Sequence, residues 1–168
     1  MDRSKEWVEK YLKEEIGVGD LTYDYTIYIN KETDVVWDAI TTGESTQYYF
    51  FGRKVQSDWE IGSSIKYVKK DGSTDIEGEI VELEPSKRLE ITWSSPESDD
   101  PPTRVIFTLQ PYAEATKLIV IHKDLQPHYF VDRDDTFEGV NNGWPAILSN
   151  LKSYLETGQP MGDMMNVD

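Results

Sequence analysis

The chain has 168 residues, no cysteine, and 32 acidic against 17 basic residues, for a formal net charge of −15. That length suits one domain with a continuous core, and the absence of thiols removes disulfides, thiolate catalysis and every cysteine-ligated zinc or iron–sulfur site. A field of that sign repels nucleic-acid phosphates and anionic lipid surfaces, so neither nucleic-acid binding nor membrane insertion is expected.

Ten Tyr, five Trp and five Phe make the chain too aromatic for disorder. Such side chains either line pockets or fill cores. The first residues, Met1-Asp2-Arg3-Ser4-Lys5-Glu6-Trp7, are charged and lack the apolar stretch of a signal peptide. With no cysteines, this points to a cytoplasmic protein.

In chain order, Ser4 is placed to cap a helix over 5–16, with Trp7, Val8, Tyr11 and Leu12 on one face. This helix is either packed on the domain or free to bind a partner. Residues 23–30 alternate with period two and read as a strand. A helix near 32–40, begun by Asn30, and a short second helix at 43–49 follow. Strands are expected at 63–69, 74–84 and 88–94. Asp71-Gly72 makes the first hairpin turn, and a bulge falls near Val81, where the alternation slips.

The acidic, proline-bearing segment 95–102 reads as a loop. Val105, Phe107 and Leu109 mark another strand, which Ile106 suggests is covered on both faces. Leu118, Val120 and His122 mark the last strand. Residues 135–157 carry the widest apolar stripe in the chain, from Phe137 to Leu155. Asp134 or Asp135 is its expected cap, and a kink or restart is expected at Pro145, which lacks an amide proton. The expected division is an N-terminal helical extension over 1–20, one domain over 21–160 and a disordered tail over 161–168. Short turns make the strands antiparallel neighbours, and the long helix has the stripe needed to cover their apolar face.

The chain resembles the START-like, or helix-grip, superfamily, and within it the bacterial homologues of the heat-shock-protein ATPase activator. Thr26–Ile29 leading to Val36-Trp37-Asp38-Ala39-Ile40-Thr41 carries part of this resemblance. Gly78–Leu89 running to Thr92-Trp93, Thr116–His122, and Gly143-Trp144-Pro145 with the helix to Gly158 carry the rest. It covers roughly 22–160. It implies an α+β fold in which a curved antiparallel sheet wraps around a long C-terminal helix, two short helices following the first strand, with a cavity between sheet and helix. Family members bind apolar small molecules or a chaperone, and some are cyclases or hydrolase-like enzymes. Fold therefore supports a cavity and little more. The acidic loop Glu97-Ser98-Asp99-Asp100 has no counterpart in that pattern.

The residues expected to contact a ligand are Trp93, Phe107, His122 and Trp144, with Tyr48 and Phe51 near the cavity mouth. Each has a plainer reading as a core residue. His122, on the face of Leu118 and Val120, is either a ligand contact or acid–base group, or a hydrogen-bonded core histidine. His128 lies six residues on, with Asp124 between, which is poor spacing for a metal site. No nucleophile elbow, phosphate loop or dinucleotide fingerprint occurs. No cofactor, metal or catalytic residue is therefore expected. The leading expectation is non-catalytic binding of an apolar or aromatic small molecule by a monomer or homodimer. The alternatives are a chaperone-associated interaction module, with a part in stress response, or a cyclase- or hydrolase-like enzyme.

Overall fold

The computed structural model describes residues 19–162. The helix expected at 5–16 and the tail from 163 onward lie outside them.

Among the described residues, seven strands form one sheet. They are β1 (Leu21–Ile29), β2 (Lys54–Ser57), β3 (Ser64–Val68), β4 (Thr74–Glu84), β5 (Arg88–Trp93), β6 (Thr103–Tyr112) and β7 (Ala115–Leu125). The order across the sheet is β1-β7-β6-β5-β4-β3-β2, with every neighbouring pair antiparallel. Two short helices, α1 (Thr33–Thr41) and α2 (Gly43–Tyr49), join β1 to β2. A 3-10 turn at Pro127–Tyr129 follows β7, and α3 (Val140–Thr157) closes the chain. The protein is thus α+β, an antiparallel sheet with one long C-terminal helix and two short helices after the first strand.

The strands form where period-two alternation meets turn chemistry. Gly72 takes φ +88, and Asp71 Oδ1 accepts from the Ser73 backbone N–H at 2.9 Å, closing the β3–β4 turn. The expected slip near Val81 is a register shift between Ile80 and Glu82. Gly78 lets β4 run close beside β5, because a Cβ there would sit 1.8 Å from the Thr92 carbonyl oxygen.

The core fills the space between sheet and helices. Trp144, Ile147, Leu148 and Leu151 of α3 share one buried cluster with Leu89, Ile91, Val105, Phe107, Leu118 and Val120 of the strands. Val36, Ala39 and Ile40 of α1 join the same cluster. Lys152 Nζ donates to the Tyr28 carbonyl at 2.6 Å, and Glu156 accepts from the Asn30 backbone N–H at 2.7 Å, tying the last turns of α3 to the end of β1. On the opposite sheet face, Glu90 is 5% exposed. It accepts from Arg88 Nη2 at 3.0 Å and Arg104 Nη1 at 2.8 Å. Ile106, its cross-strand partner, is buried beside it yet lies outside the main core cluster.

Three expectations are corrected. The long helix begins at Val140, not at 135, and its N-cap is Gly139 at φ +88 rather than Asp134 or Asp135. Phe137 continues the apolar spacing, but the chain there is tied down differently. Asn141 Oδ1 accepts from the Val131 N–H at 3.0 Å, and Asn141 Nδ2 donates back to the Val131 carbonyl at 2.9 Å. Residues 131–141 thus form a strap with its two ends joined. Pro145 then falls in the second turn of a continuous helix instead of breaking a longer one. The first helix starts at Thr33 with Glu32 as its N-cap, not at Asn30, whose N–H is taken by Glu156. Strand β2, with Val55 its one buried apolar residue, was not anticipated.

Gly78→Ala is expected to lower stability by about 2–4 kcal/mol, because backbone rather than a side-chain tip must move. Urea unfolding checks this; an unchanged midpoint would show that β4 and β5 separate at no cost.

Candidate functional site

Four of the six expected ligand contacts converge under α3. Trp93 ends β5, Phe107 lies mid-β6, His122 lies on β7, and Trp144 projects from the first turns of α3. Alternation places the three strand residues on the core face. Ring centroids are 5.5 Å apart for Trp93–Trp144, 6.0 Å for Phe107–Trp144, 5.8 Å for Trp93–His122 and 6.1 Å for His122–Trp144. Two further rings complete the group. Phe50 stacks on Tyr67 at 4.7 Å and meets Trp144 edge-on at 6.0 Å.

Polar atoms in this group are joined in a line. An indole N–H can only donate, so Trp144 Nε1 donates to His122 Nδ1 at 3.1 Å. The neutral imidazole then carries its proton on Nε2 and donates it to Thr103 Oγ1 at 2.7 Å. The Thr103 hydroxyl in turn donates a hydrogen bond to the Trp93 backbone carbonyl at 3.0 Å. Burial pushes His122 down from 6.5 to about 3. With both ring nitrogens engaged, His122 resembles the hydrogen-bonded core histidine more than an acid or base awaiting substrate.

Tyr48 and Phe51 lie elsewhere: Tyr48 is exposed on α2, and Phe51, just after it, is partly buried at the edge of the core. Tyr48 stacks on Tyr154 of α3 at 5.3 Å, and Phe51 touches Phe137 of the strap at 5.6 Å. Between these surface rings and the buried group stands Phe50. It caps α2 and is followed by Phe51 at φ +48 and Gly52 at φ +78. Arg53 fixes this turn by donating to the Phe51 carbonyl and to Asp75 Oδ2 at 3.1 Å.

The space left over is small. A void of about 10 Å³ lies between the sheet and α3, bordered by Phe50, Tyr67, Phe107, Trp144 and Leu148. That is room for about one water molecule. A larger open hollow of about 230 Å³ lies on the surface between Glu32–Asp34 and Pro111–Ala115, away from all six expected residues. Phe50 and Tyr67 were missed in the sequence. Phe50 had a signal, its place in Tyr48-Tyr49-Phe50-Phe51; Tyr67 alternates with Ile65 on β3 but carried nothing to set it apart.

Among the described residues, no group of three or more His, Asp or Glu is placed to hold a metal ion. His128 Nε2 instead meets Asp100 Oδ2 at 2.8 Å, which also accepts from Tyr129 Oη at 3.1 Å, so the acidic loop is fastened to the 3-10 turn. No described helix is long and apolar enough to cross a membrane.

A family model described as Activator of Hsp90 ATPase homolog 1-like protein matches residues 31–156. The chain belongs to this family. Solved structures share its fold. CalU16 from Micromonospora echinospora is 22% identical, with 86% of this chain and 79% of that one covered and a TM-score of 0.66. DynU16, a putative protein in the dynemicin biosynthetic locus, is 27% identical at a TM-score of 0.65. The match covers 83% of this chain but 48% of DynU16, so the chain spans about half that protein's length. The Aha1 dimer from Colwellia psychrerythraea is 20% identical, with 82% and 98% covered and a TM-score of 0.63. No curated protein matches in sequence.

Two outcomes follow from the buried line of hydrogen bonds. Trp144→Phe leaves His122 Nδ1 without a donor and is expected to cost about 1–3 kcal/mol in denaturant unfolding. For pH, the folded value near 3 lies below the unfolded 6.5. The contribution of neutral His122 is therefore complete above about pH 6.5 and is lost as pH falls toward 3. The His122 ring carbon and nitrogen shifts in NMR should stay at neutral-imidazole values at pH 5. A ring that titrates there would contradict the burial.

Proposed function

We propose that this protein binds a flat apolar or aromatic small molecule between the sheet and α3, without catalysing a reaction. The supporting observation is the convergence of Phe50, Tyr67, Trp93, Phe107 and Trp144 around one void, with a single neutral histidine behind them. Because the void is far smaller than a ligand, the site is closed in this conformation. The ligand takes the place of the Phe50 ring, which sits at the end of a seven-residue helix beside a left-handed Phe51. Phe51 and Tyr48 then stand at the entrance, and Trp93, Phe107 and Trp144 form the walls. His122 accepts from the Trp144 indole, and Thr103 holds the Trp93 backbone carbonyl.

Burial of apolar ligand surface supplies roughly 25 cal/mol per Å². The measured affinity is lower by the fraction of molecules with Phe50 displaced. Catalysis is disfavoured because both nitrogens of His122 already have partners. The alternative of a chaperone-associated module has family membership as its support.

Titration of the full chain with naphthalene-, anthracene- and steroid-type compounds tests the reading, followed by calorimetry and by quenching of tryptophan emission. Saturable one-to-one binding is expected, tighter in Phe50→Ala than in the natural chain. If only Phe50→Ala binds, the hole is an engineered one and the reading fails.

A further inference from the structure

The edge of the core along α2, the strap and α3 carries a line of partly exposed rings. Phe137 of the strap meets Phe51, Tyr48 follows one turn back on α2, and Tyr48 stacks on Tyr154. Asn150 links Tyr48 to the chain beyond α3, donating to the Tyr48 carbonyl at 3.3 Å and accepting from the Met161 N–H. Phe137 is 40% exposed, Tyr48 45% and Met161 41%. Each ring is half supported by a neighbour and half open, so its orientation is set before anything docks. Fixed, half-exposed aromatic side chains of this kind are strong anchors for a partner.

Acids border the line. Glu44 is one turn before Tyr48 on α2, and Asp132, Asp134, Asp135 and Glu138 flank Phe137 in sequence along the strap, all exposed. Arg133, the one base of the strap, is turned toward Asp135 at 3.9 Å and Glu138 at 3.6 Å. A partner presenting bare apolar side chains would satisfy the rings and set Glu44, Asp132 and Asp134 beside apolar groups, with Asp135 and Glu138 balanced only by the single charge of Arg133. A partner with apolar side chains on one stripe and Lys or Arg along its flank satisfies both.

We propose that the α2–strap–α3 face docks a basic amphipathic segment of another protein. The apolar stripe seats on Phe137, Tyr48 and Tyr154. The flanking cations meet Glu44, Asp134, Asp135 and Glu138. The net charge of −15 adds a long-range attraction for such a segment, raising its association rate at low salt. This inference does not rest on the interior ligand site, and the two are separable by experiment.

The test uses the full chain and a fluorescein-labelled 18-residue Leu/Lys peptide patterned as an amphipathic helix. A second peptide of identical composition has its Leu residues spread over all faces. Fluorescence anisotropy is expected to show the patterned peptide binding at least about tenfold more tightly. Tyr48→Ser with Phe137→Ser should remove that preference at unchanged net charge, while Asp134→Asn with Asp135→Asn should flatten the salt dependence. Circular dichroism checks the variants' folding. Should the first pair fail to fold, backbone amide shifts of Tyr48 and Phe137 in the unaltered chain on peptide addition give the same information. Equal affinity for the two peptides, or shifts confined to other faces, overturns the proposal. So does self-association of the chain that the Tyr48/Phe137 pair abolishes, which would assign the face to a second copy. Naphthalene binding followed in parallel should persist in the Asp134/Asp135 variant. Its absence from the natural chain as well would fail the interior site and leave the peptide result standing.

Discussion

The hydrogen bond from the Trp144 indole to His122 Nδ1 is the contact on which the interior arrangement turns. Apolar burial places α3 over the sheet but does not by itself fix which residue faces which, because dispersion is non-directional. One buried donor with one buried acceptor does. The bond sets the rotation of α3, the tautomer of His122 and, through Thr103, the end of β5 where Trp93 sits. Rings that would otherwise have several ways to pack have one, since any other would orphan a buried nitrogen.

That arrangement also explains why the interior is nearly full. The sheet and α3 leave a space that aromatic side chains from five elements enter: β3, the end of α2, β5, β6 and α3. Phe50 is the one carried by a turn, since it ends a short helix and precedes a residue in the left-handed region. The other rings are fixed by strand pairing or, for Trp144, by the early turns of a long helix and the bond to His122. An interior of this kind is closed without being sealed: most of its walls belong to elements with full hydrogen-bond ladders, and one side chain belongs to a turn.

Much of the fold was legible in the sequence, for identifiable reasons. Alternation from Tyr23 to Ile29 gives β1, with Tyr23, Tyr25 and Ile27 facing the core. The Asp71-Gly72 turn and the slip at Val81 fix the pairings of β4. The three- and four-residue steps from Trp144 to Leu151 give α3 its buried face. Strand β2 was hidden because four residues with one buried apolar side chain show no periodicity. The strap was hidden because Phe137 falls in step with the helix that follows, and only the positive φ of Gly139 and the Asn141 side chain separate the two. Of the site, the four inward rings were readable from alternation and stripe. The near-absence of empty space was not, because it depends on where Phe50 arrives from α2, which is a matter of loop geometry.

The carboxylate of Glu90, held by Arg88 and Arg104 away from the core side, bears on how the chain avoids folding wrongly. Leu89, Glu90 and Ile91 are all buried, so hydropathy alone scarcely tells β5 which way to face. Shifting it one position along β6 would drive Glu90 and Arg88 together among the aromatic rings and leave Arg104 outside without Glu90. An ion pair of this kind adds little net stability, but it makes the mispaired sheet far more costly than the correct one.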